Sequence, residues 1–195
     1  VDAAADDGFT PLLDGKTLAG WKVRSEKDAK ADEWTVVDGV LKAKAGNSWL
    51  ATEKEYGDYV LQLEWRVPEN GNSGVFIRTA DLKDPVQTGI EIQVAHAGAG
   101  DQPDRGSVGG IYDLVAASRN VYKPDAWNRY IITCQGPNIT VNLNGTEVAR
   151  ANLDRWTEAH KNPDGSKNKF RRPLKEFARS GYIGFQDHGT PVSYR

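Results

Sequence analysis

Side chains that can move protons or stabilise charge recur on segments that otherwise alternate between apolar and polar residues. Glu64 lies in the segment 59–67, Arg78 ends the segment 71–78, Glu91 lies in 89–94 and His188 lies in 181–189. Strand side chains point to opposite faces with a period of two, so each polar set shares a face. Carboxylates and imidazoles transfer protons, and a guanidinium stabilises a developing negative charge. These residues therefore predict a sheet with a chemically active polar face.

Hydrogen-bonding and ring side chains accompany this set and indicate the kind of ligand. Asn72, Gln93 and Gln186 carry amides that can bind hydroxyl groups, and Tyr112 or Trp49 could stack on a ring. Amides and aromatic rings around ionisable groups are typical of a carbohydrate site. We therefore expect a carbohydrate substrate, with Glu64, Arg78, Glu91 and His188 as the catalytic candidates.

Each candidate also has a purely structural interpretation. Glu64 and Arg78 could form a cross-strand ion pair, which adds little stability when exposed. Glu91 and Gln93 could belong to an ordinary solvated strand face, and His188 could be a turn residue before Gly189. The segment 72–74 could be only a turn. A functional site requires these side chains to lie close together in the folded protein, whereas the structural interpretations do not.

Composition narrows the functional classes. The chain has 195 residues, 38% hydrophobic content and a formal net charge of −2. No basic stripe supports nucleic-acid binding, and no apolar run approaches the ~18 residues of a membrane span.

We expect a disordered tail over residues 1–8 and a single domain over 9–195. Six Trp residues and one cysteine, Cys134, which we expect to be buried, suit a bacterial periplasmic or extracellular protein. The sequence does not indicate the oligomeric state.

The spacing of turns predicts the fold class. Asp38-Gly39 and Asn144-Gly145 each join two runs rich in β-branched or apolar residues, as type I′ hairpin turns do. About a dozen short strands and almost no helix indicate an all-β antiparallel sandwich. The basic segment 150–180 is expected to be a solvated surface with one helical turn at 173–178.

Metal binding has weak support from the sequence. No His, Cys, Asp and Glu cluster has the close spacing of a zinc site. Asp101, Asp104 and Asp113 surround a glycine-rich loop and are candidate calcium ligands, although the EF-hand pattern is absent. The sequence leaves open either no cofactor or a calcium ion.

Several motifs in order resemble one family, the 3-keto-disaccharide hydrolase domain. The resemblance runs from Gly8 to Arg195 and rests on these segments: Gly8-Phe9-Thr10-Pro11-Leu12-Leu13-Asp14-Gly15-Lys16 with Trp21, Trp34 with Asp38-Gly39-Val40-Leu41, the segments 71–78 and 89–93, Trp127-Asn128, 141–145 and 181–189. It implies a concanavalin A-like jelly roll, often exported, that cleaves 3-keto-glycosides. Such domains usually continue for a few more strand residues, so the last strand is expected to be cut at Arg195.

A 3-keto sugar gives the candidates definite roles. The ketone acidifies the hydrogen on C2, and the glycosidic oxygen on C1 can then leave by elimination before water adds. We expect Glu91 or His188 to be the base, Arg78 to stabilise the enolate, and Glu64 to be the acid or to orient Arg78. Gln93, Asn72, Tyr112 and Gln186 would bind the sugar.

Two other functions remain possible from the sequence. A lectin-like binding module needs hydroxyl partners and stacking but no converging acids and bases, and one fold can host either activity. An ordinary glycoside hydrolase of this fold would carry a Glu-x-Asp-x-x-Glu run on one strand. The strands of Glu64 and Glu91 do not supply that run.

Overall fold

The protein is a sandwich of two antiparallel β-sheets. The computed structural model describes residues 8–24, 33–96 and 102–195. Its strands are β1 (Trp21–Arg24), β2 (Trp34–Val37), β3 (Val40–Ala43), β4 (Trp49–Tyr56), β5 (Tyr59–Arg66), β6 (Asn72–Thr79), β7 (Ile90–Ala95), β8 (Asn128–Gln135), β9 (Asn138–Leu143), β10 (Thr146–Asn152), β11 (Gly181–Gln186) and β12 (Val192–Tyr194). The described helical elements are one short helix, α1 (Pro85–Thr88), and two 3₁₀ turns, Leu153–Arg155 and Leu174–Glu176. The all-β prediction is confirmed.

The chain passes several times between the two sheets, for example from β4 to β5 and from β5 to β6. One sheet has five strands in the order β1-β4-β11-β6-β7, and the other has seven in the order β10-β9-β8-β5-β12-β3-β2. The predicted hairpins at Asp38-Gly39 and Asn144-Gly145 join β2 to β3 and β9 to β10. Asp38 and Asn144 have φ values of 53° and 53°, and both glycines also have positive φ, as type I′ turns require.

The core lies between the two sheets and is filled by the apolar faces that alternation predicts. Leu61, Leu63 and Trp65 face inward from the seven-stranded sheet, while Ile90 and Ile92 face inward from the five-stranded sheet. Burial of these faces is the main contribution to folding. Because the two sets belong to different sheets, their polar faces point away from each other, out of opposite sides of the sandwich.

Cys134 is buried as predicted, and the last strand lies inside a sheet with a partner on each side. Cys134 is free and buried on β8, and burial raises the pKa of its thiol to about 11, so it packs as a small hydrophobe. The segment 192–194 pairs with both β3 and β5 inside the seven-stranded sheet. The predicted disordered tail falls almost wholly on residues 1–7, outside the described residues.

The segment 150–180 is more than a solvated surface. Trp156, Phe170 and Leu174 are buried in the core cluster, and Asn162 is almost fully buried. Asn162 accepts a hydrogen bond from Trp156 Nε1 at 2.7 Å and donates to the carbonyl of Asp113 at 3.2 Å. The predicted helical turn is present as the 3₁₀ turn Leu174–Glu176. The basic residues of this segment are therefore carried on a packed layer that reaches the edge of the five-stranded sheet.

Candidate active site

The outer surface of the five-stranded sheet, which we call the front face, carries the polar residues of β7. Ile92 faces the core, so its neighbours Glu91 and Gln93 project to the front. By the same alternation Trp49 of β4 and Gln186 of β11 project to the front. This face is the polar surface that the spacing of the strands predicts.

Glu91 is the central side chain of the front face. It is only 7% exposed, and its carboxylate lies over Gly74 of β6. A Cβ atom at position 74 would lie 2.5 Å from Oε1 of Glu91 and 2.9 Å from its Cγ. Gly74 therefore provides the space in which the carboxylate sits.

Lys169 supplies a cation to this carboxylate. Its Nζ lies 3.4 Å from Oε2 of Glu91, and its own side chain is 20% exposed. The Nζ also lies 4.6 Å from the ring centre of Tyr112, and the backbone N–H of Lys169 donates to Asp113 Oδ2 at 2.5 Å. These contacts hold the ammonium group over an aromatic face beside a buried acid.

The environment of Glu91 favours its neutral form more than water does. Burial raises the pKa of the carboxyl above its ordinary value, while the nearby positive charges of Lys169 and His188 act in the opposite direction. A carboxyl with a raised pKa accepts and returns protons more readily near neutral pH than an exposed one does. Glu91 is thus suited to proton transfer.

His188 lies on an anchored loop after β11. Its side chain is exposed and close enough for its charge to affect Glu91. The loop is held by buried Asp187, whose carboxylate accepts from the backbone N–H of Gly46 at 2.6 Å and of Gly189 at 3.0 Å. The loop therefore places His188 within electrostatic range of Glu91.

The predicted sugar-binding residues surround this pair. Gln93 Nε2 donates to Asn72 Oδ1 at 2.9 Å, and Gln93 Oε1 is buried without a hydrogen-bond partner among the described residues. The backbone N–H of Tyr112 donates to the carbonyl of Glu91 at 2.9 Å. Gln186 pairs with Trp49 across the sheet. An unpartnered buried acceptor beside Glu91 is suited to a ligand hydroxyl.

Arg78 does not reach the front face, contrary to the role expected for it. A φ of 52° at this residue interrupts the strand alternation. Its guanidinium donates to the carbonyl of Gly57 at 3.3 Å, to the carbonyl of Gly136 at 2.6 Å and to Asp58 Oδ1 at 2.9 Å. Arg78 thus joins the β4–β5 and β8–β9 turns, and Lys169 is the cation beside Glu91.

Glu64 also lies apart from the other candidates. It projects from the seven-stranded sheet on the outer side of the sandwich, with the core between it and Glu91. Its Oε2 accepts from Arg195 Nε at 2.7 Å. The role of acid predicted for Glu64 and its alternative pairing with Arg78 are both wrong, because alternation specifies a face without specifying the sheet.

Lys169 is not among the candidates that the sequence predicts. It belongs to a basic run, which by itself indicates a solvated surface. The available signal was the apolar spacing within that run, where Trp156, Phe170 and Phe177 interrupt the charges. Large apolar residues in a basic segment indicate that the segment packs against the domain and that some of its cations are held in place.

Two of the three candidate calcium ligands, Asp104 and Asp113, lie in the described part of the chain. Asp104 accepts from the backbone N–H of Gly106 at 2.8 Å and from Ser107 Oγ at 2.8 Å, and Asp113 accepts from Lys169. Asp101 lies outside the described residues. In the described part of the chain no three His, Cys, Asp or Glu side chains form a group that could hold a metal ion. The calcium site stays a prediction.

Comparison with known families decides the classification. Residues 8–195 match the family described as the 3-keto-alpha-glucoside-1,2-lyase-like domain. The chain belongs to this family. Because the match covers nearly the whole chain, it includes every element of the front face, from Trp49 to His188.

Individual relatives agree with this classification. A 3-keto-disaccharide hydrolase of Bacteroides thetaiotaomicron is 27% identical over an alignment that covers 100% of this chain and 78% of the relative. A solved structure from Parabacteroides distasonis, which carries a provisional glycosyl hydrolase name, is 32% identical with a TM-score of 0.77, covering 89% of this chain and 94% of that one. These matches place the chain among glycoside hydrolase relatives.

More distant structures agree in fold alone. The β-glucanase of Bacillus licheniformis superposes with a TM-score of 0.51 at 11% identity, covering 89% of this chain and 87% of that one. The jelly-roll prediction is therefore confirmed. No helix in the described ranges is long and apolar enough to cross a membrane.

Proposed function

We propose that this protein cleaves 3-keto-glycosides by elimination across C1 and C2 of the oxidised sugar, followed by addition of water. The observation that carries the proposal is the buried carboxylate of Glu91, which lies 3.4 Å from the ammonium group of Lys169 on the polar face of the sheet. The "1,2-lyase" in the family description and the name of the Bacteroides relative support the same chemistry.

Glu91 is the base in this proposal. Its carboxylate removes the proton from C2, and the electrons of the C2–H bond form the C2=C3 bond of an enolate. Lys169 carries the positive charge that the enolate oxygen needs, and the ring of Tyr112 fixes the position of that charge. A base and a cation at this distance are the groups that the step requires.

His188 is the acid that protonates the leaving oxygen. As the C3=O bond reforms, the electrons of the C2=C3 bond form a C1=C2 double bond and the C1–O bond breaks. The expelled oxygen takes a proton from the imidazolium. Water then adds at C1, and C2 regains a proton, which restores the 3-keto sugar. His188 is exposed near Glu91, where it can exchange protons with solvent between turnovers.

The amides next to Glu91 orient the oxidised ring. Gln93 Oε1 has the free acceptor that a sugar hydroxyl can fill, and its Nε2 is fixed on Asn72. Gln186 on β11 faces the same region. A ring held by these groups presents its C2 hydrogen to the carboxylate over Gly74.

The test is to incubate the purified protein with a chromogenic glucoside and with the same glucoside oxidised at C3. We expect release of the chromophore from the oxidised substrate alone, and loss of that release in Glu91→Gln. Release from the unoxidised glucoside would show an ordinary glycosidase. Binding of either compound without release would show a carbohydrate-binding module.

A further inference from the structure

A cleft of about 360 Å³ opens on the front face beside the Glu91 region. It is lined by Arg24 of β1, Trp49 of β4 and the segment 82–86 before and within α1. The catalytic proposal uses none of these residues. The cleft combines an aromatic ring with charged hydrogen-bonding groups, which is the usual composition of a sugar subsite.

The register of the sheet places this cleft in line with the base. Arg24 pairs with Trp49, Trp49 pairs with Gln186, and the pairing of Phe185 with Val75 puts Gln186 level with Gly74. Trp49 is therefore two strands from Gly74, over which the Glu91 carboxylate lies. Two strand spacings are about 10 Å, which accommodates two adjacent pyranose rings along the row.

Trp49 is held in a fixed position for stacking. The rings of Trp49 and Phe76 pack edge to face, with their centres 4.2 Å apart and an interplanar angle of 80°. Trp49 is half-buried and lines the cleft. A rigid indole presents a flat apolar surface to a sugar ring at a low cost in conformational entropy.

The polar groups of the cleft indicate a sugar ring more than a purely aromatic group. Arg24 and Lys83 offer donors, and Asp84 offers acceptors, its Oδ2 lying 3.7 Å from Arg171 Nη1. A pyranose has hydroxyls that both donate and accept, so it can use all three, whereas a hydrocarbon ring would leave them unused.

We propose that this cleft binds the leaving sugar of a 3-keto-disaccharide, while the oxidised ring lies over Gln186 and Gly74. The proposal rests on the proposed function for its orientation. His188 follows β11, the strand between β4 and β6, so the chain that carries it leaves the sheet between the two subsites, on the side where the glycosidic oxygen would be. The leaving sugar thus points towards β1 and α1.

The kinetic test compares two substrates in wild type and in Trp49→Ala. One substrate is a 3-keto-disaccharide with a glucosyl leaving group, and the other is methyl 3-keto-glucoside. We expect the ratio of their kcat/KM values, disaccharide over methyl, to fall by about fivefold to tenfold, which is the contribution of one aromatic ring contact. The matched control is Trp127→Ala, because Trp127 stacks with Arg66 and Arg195 on the other sheet. It should leave the ratio unchanged.

An unchanged ratio in a folded Trp49→Ala protein would overturn the proposal. A second result would also overturn it. If Trp49→Ala lowers the rate for a 3-keto-glucoside with an aryl leaving group but leaves the rate for the disaccharide unchanged, the cleft binds aromatic groups. Trp49→Phe, which keeps a flat ring, is the second variant if Trp49→Ala does not fold, and it should retain most of the ratio.

A binding experiment separates this proposal from the catalytic one. The indole N–H signal of Trp49, assigned by its loss in Trp49→Phe, is followed by NMR during titration with the unoxidised disaccharide and with methyl glucoside. We expect the disaccharide to shift the signal more than methyl glucoside does. If wild type cleaves neither keto substrate, the proposed function fails, and this shift still decides whether the cleft is a sugar site. No shift would contradict the subsite.

Discussion

At the scale of single residues, two carboxylates that look alike in the sequence have different surroundings. Glu64 and Glu91 both occupy polar positions on alternating strands. Glu91 is 7% exposed beside Lys169, whereas Glu64 lies on the outer face of the seven-stranded sheet and pairs with Arg195. Burial beside a cation changes the proton affinity of a carboxylate, whereas pairing with a cation at an exposed position changes it far less.

Substitution of these two carboxylates separates their roles. Glu91→Gln should lower kcat on a 3-keto-glycoside by roughly 10² to 10⁴, the usual contribution of a general base. Glu64→Gln should leave kcat unchanged, because its side chain lies across the core from the front face. Steady-state kinetics measures both, and a large loss in Glu64→Gln with none in Glu91→Gln would refute the assignment.

Gly74 offers a second substitution that acts through Glu91. A methyl group at position 74 would lie 2.5 Å from the Glu91 carboxylate, so Gly74→Ala should displace that side chain and lower kcat without unfolding the protein. The matched control is Gly57→Ala, since a Cβ at Gly57 meets nothing within 4 Å. Equal kinetics for Gly74→Ala and wild type would show that the position of the carboxylate does not matter.

Lys169 should determine the acidic limb of the pH profile. Glu91 must be ionised to act as a base, so kcat/KM should fall as pH drops through its raised pKa. The ammonium of Lys169 lowers that pKa, so Lys169→Met should move the acidic limb to higher pH as well as reduce the maximum rate. A limb that stays in place or moves to lower pH would contradict the electrostatic role of Lys169.

At the scale of elements, Arg78 belongs to the framework of the sandwich. Its guanidinium is almost fully buried and binds the turns that end β4 and β8. Strand alternation predicts the front face for its side chain, but the left-handed φ at this residue redirects the backbone, and the sequence gives no sign of it. A buried arginine bound to carbonyl oxygens contributes to stability more than to chemistry.

Removal of the guanidinium should therefore affect stability. Arg78→Gln should lower the free energy of unfolding by about 3 kcal/mol, because it removes the almost fully buried guanidinium and its hydrogen bonds to both turns. Urea denaturation measures this, and Arg150→Gln, in an exposed ion pair with Glu147, is the control that should not change the midpoint. A fully stable Arg78→Gln protein with lost activity would restore the catalytic role.

The segment 150–180 shows why composition alone misleads about an element. Its charge predicts a solvated surface, but Trp156 and Phe170 anchor it in the core and bring Lys169 to Glu91. The contact joins residues 78 positions apart, and no local pattern specifies such a contact. Residues from one strand could be predicted to share a face, whereas the partner from a distant loop could not.

At the scale of the whole molecule, the fold was more predictable than the site. Turn residues and strand alternation are local signals, and they correctly indicate the hairpins, the inward faces and the antiparallel sandwich. The assignment of strands to sheets is not local, because β5 and β6 are consecutive but lie in different sheets. This explains why Glu64 lies on the opposite side of the sandwich from Glu91.

The central claim is that cleavage proceeds by loss of the C2 proton. The most direct measurement is turnover of a 3-keto-glycoside in D₂O, with the isotope content at C2 of the newly formed 3-keto sugar read by NMR at early times. Elimination followed by hydration predicts deuterium at C2 in the product, at a rate matching leaving-group release and abolished in Glu91→Gln. Product released by the enzyme with only the original hydrogen at C2 would contradict the mechanism.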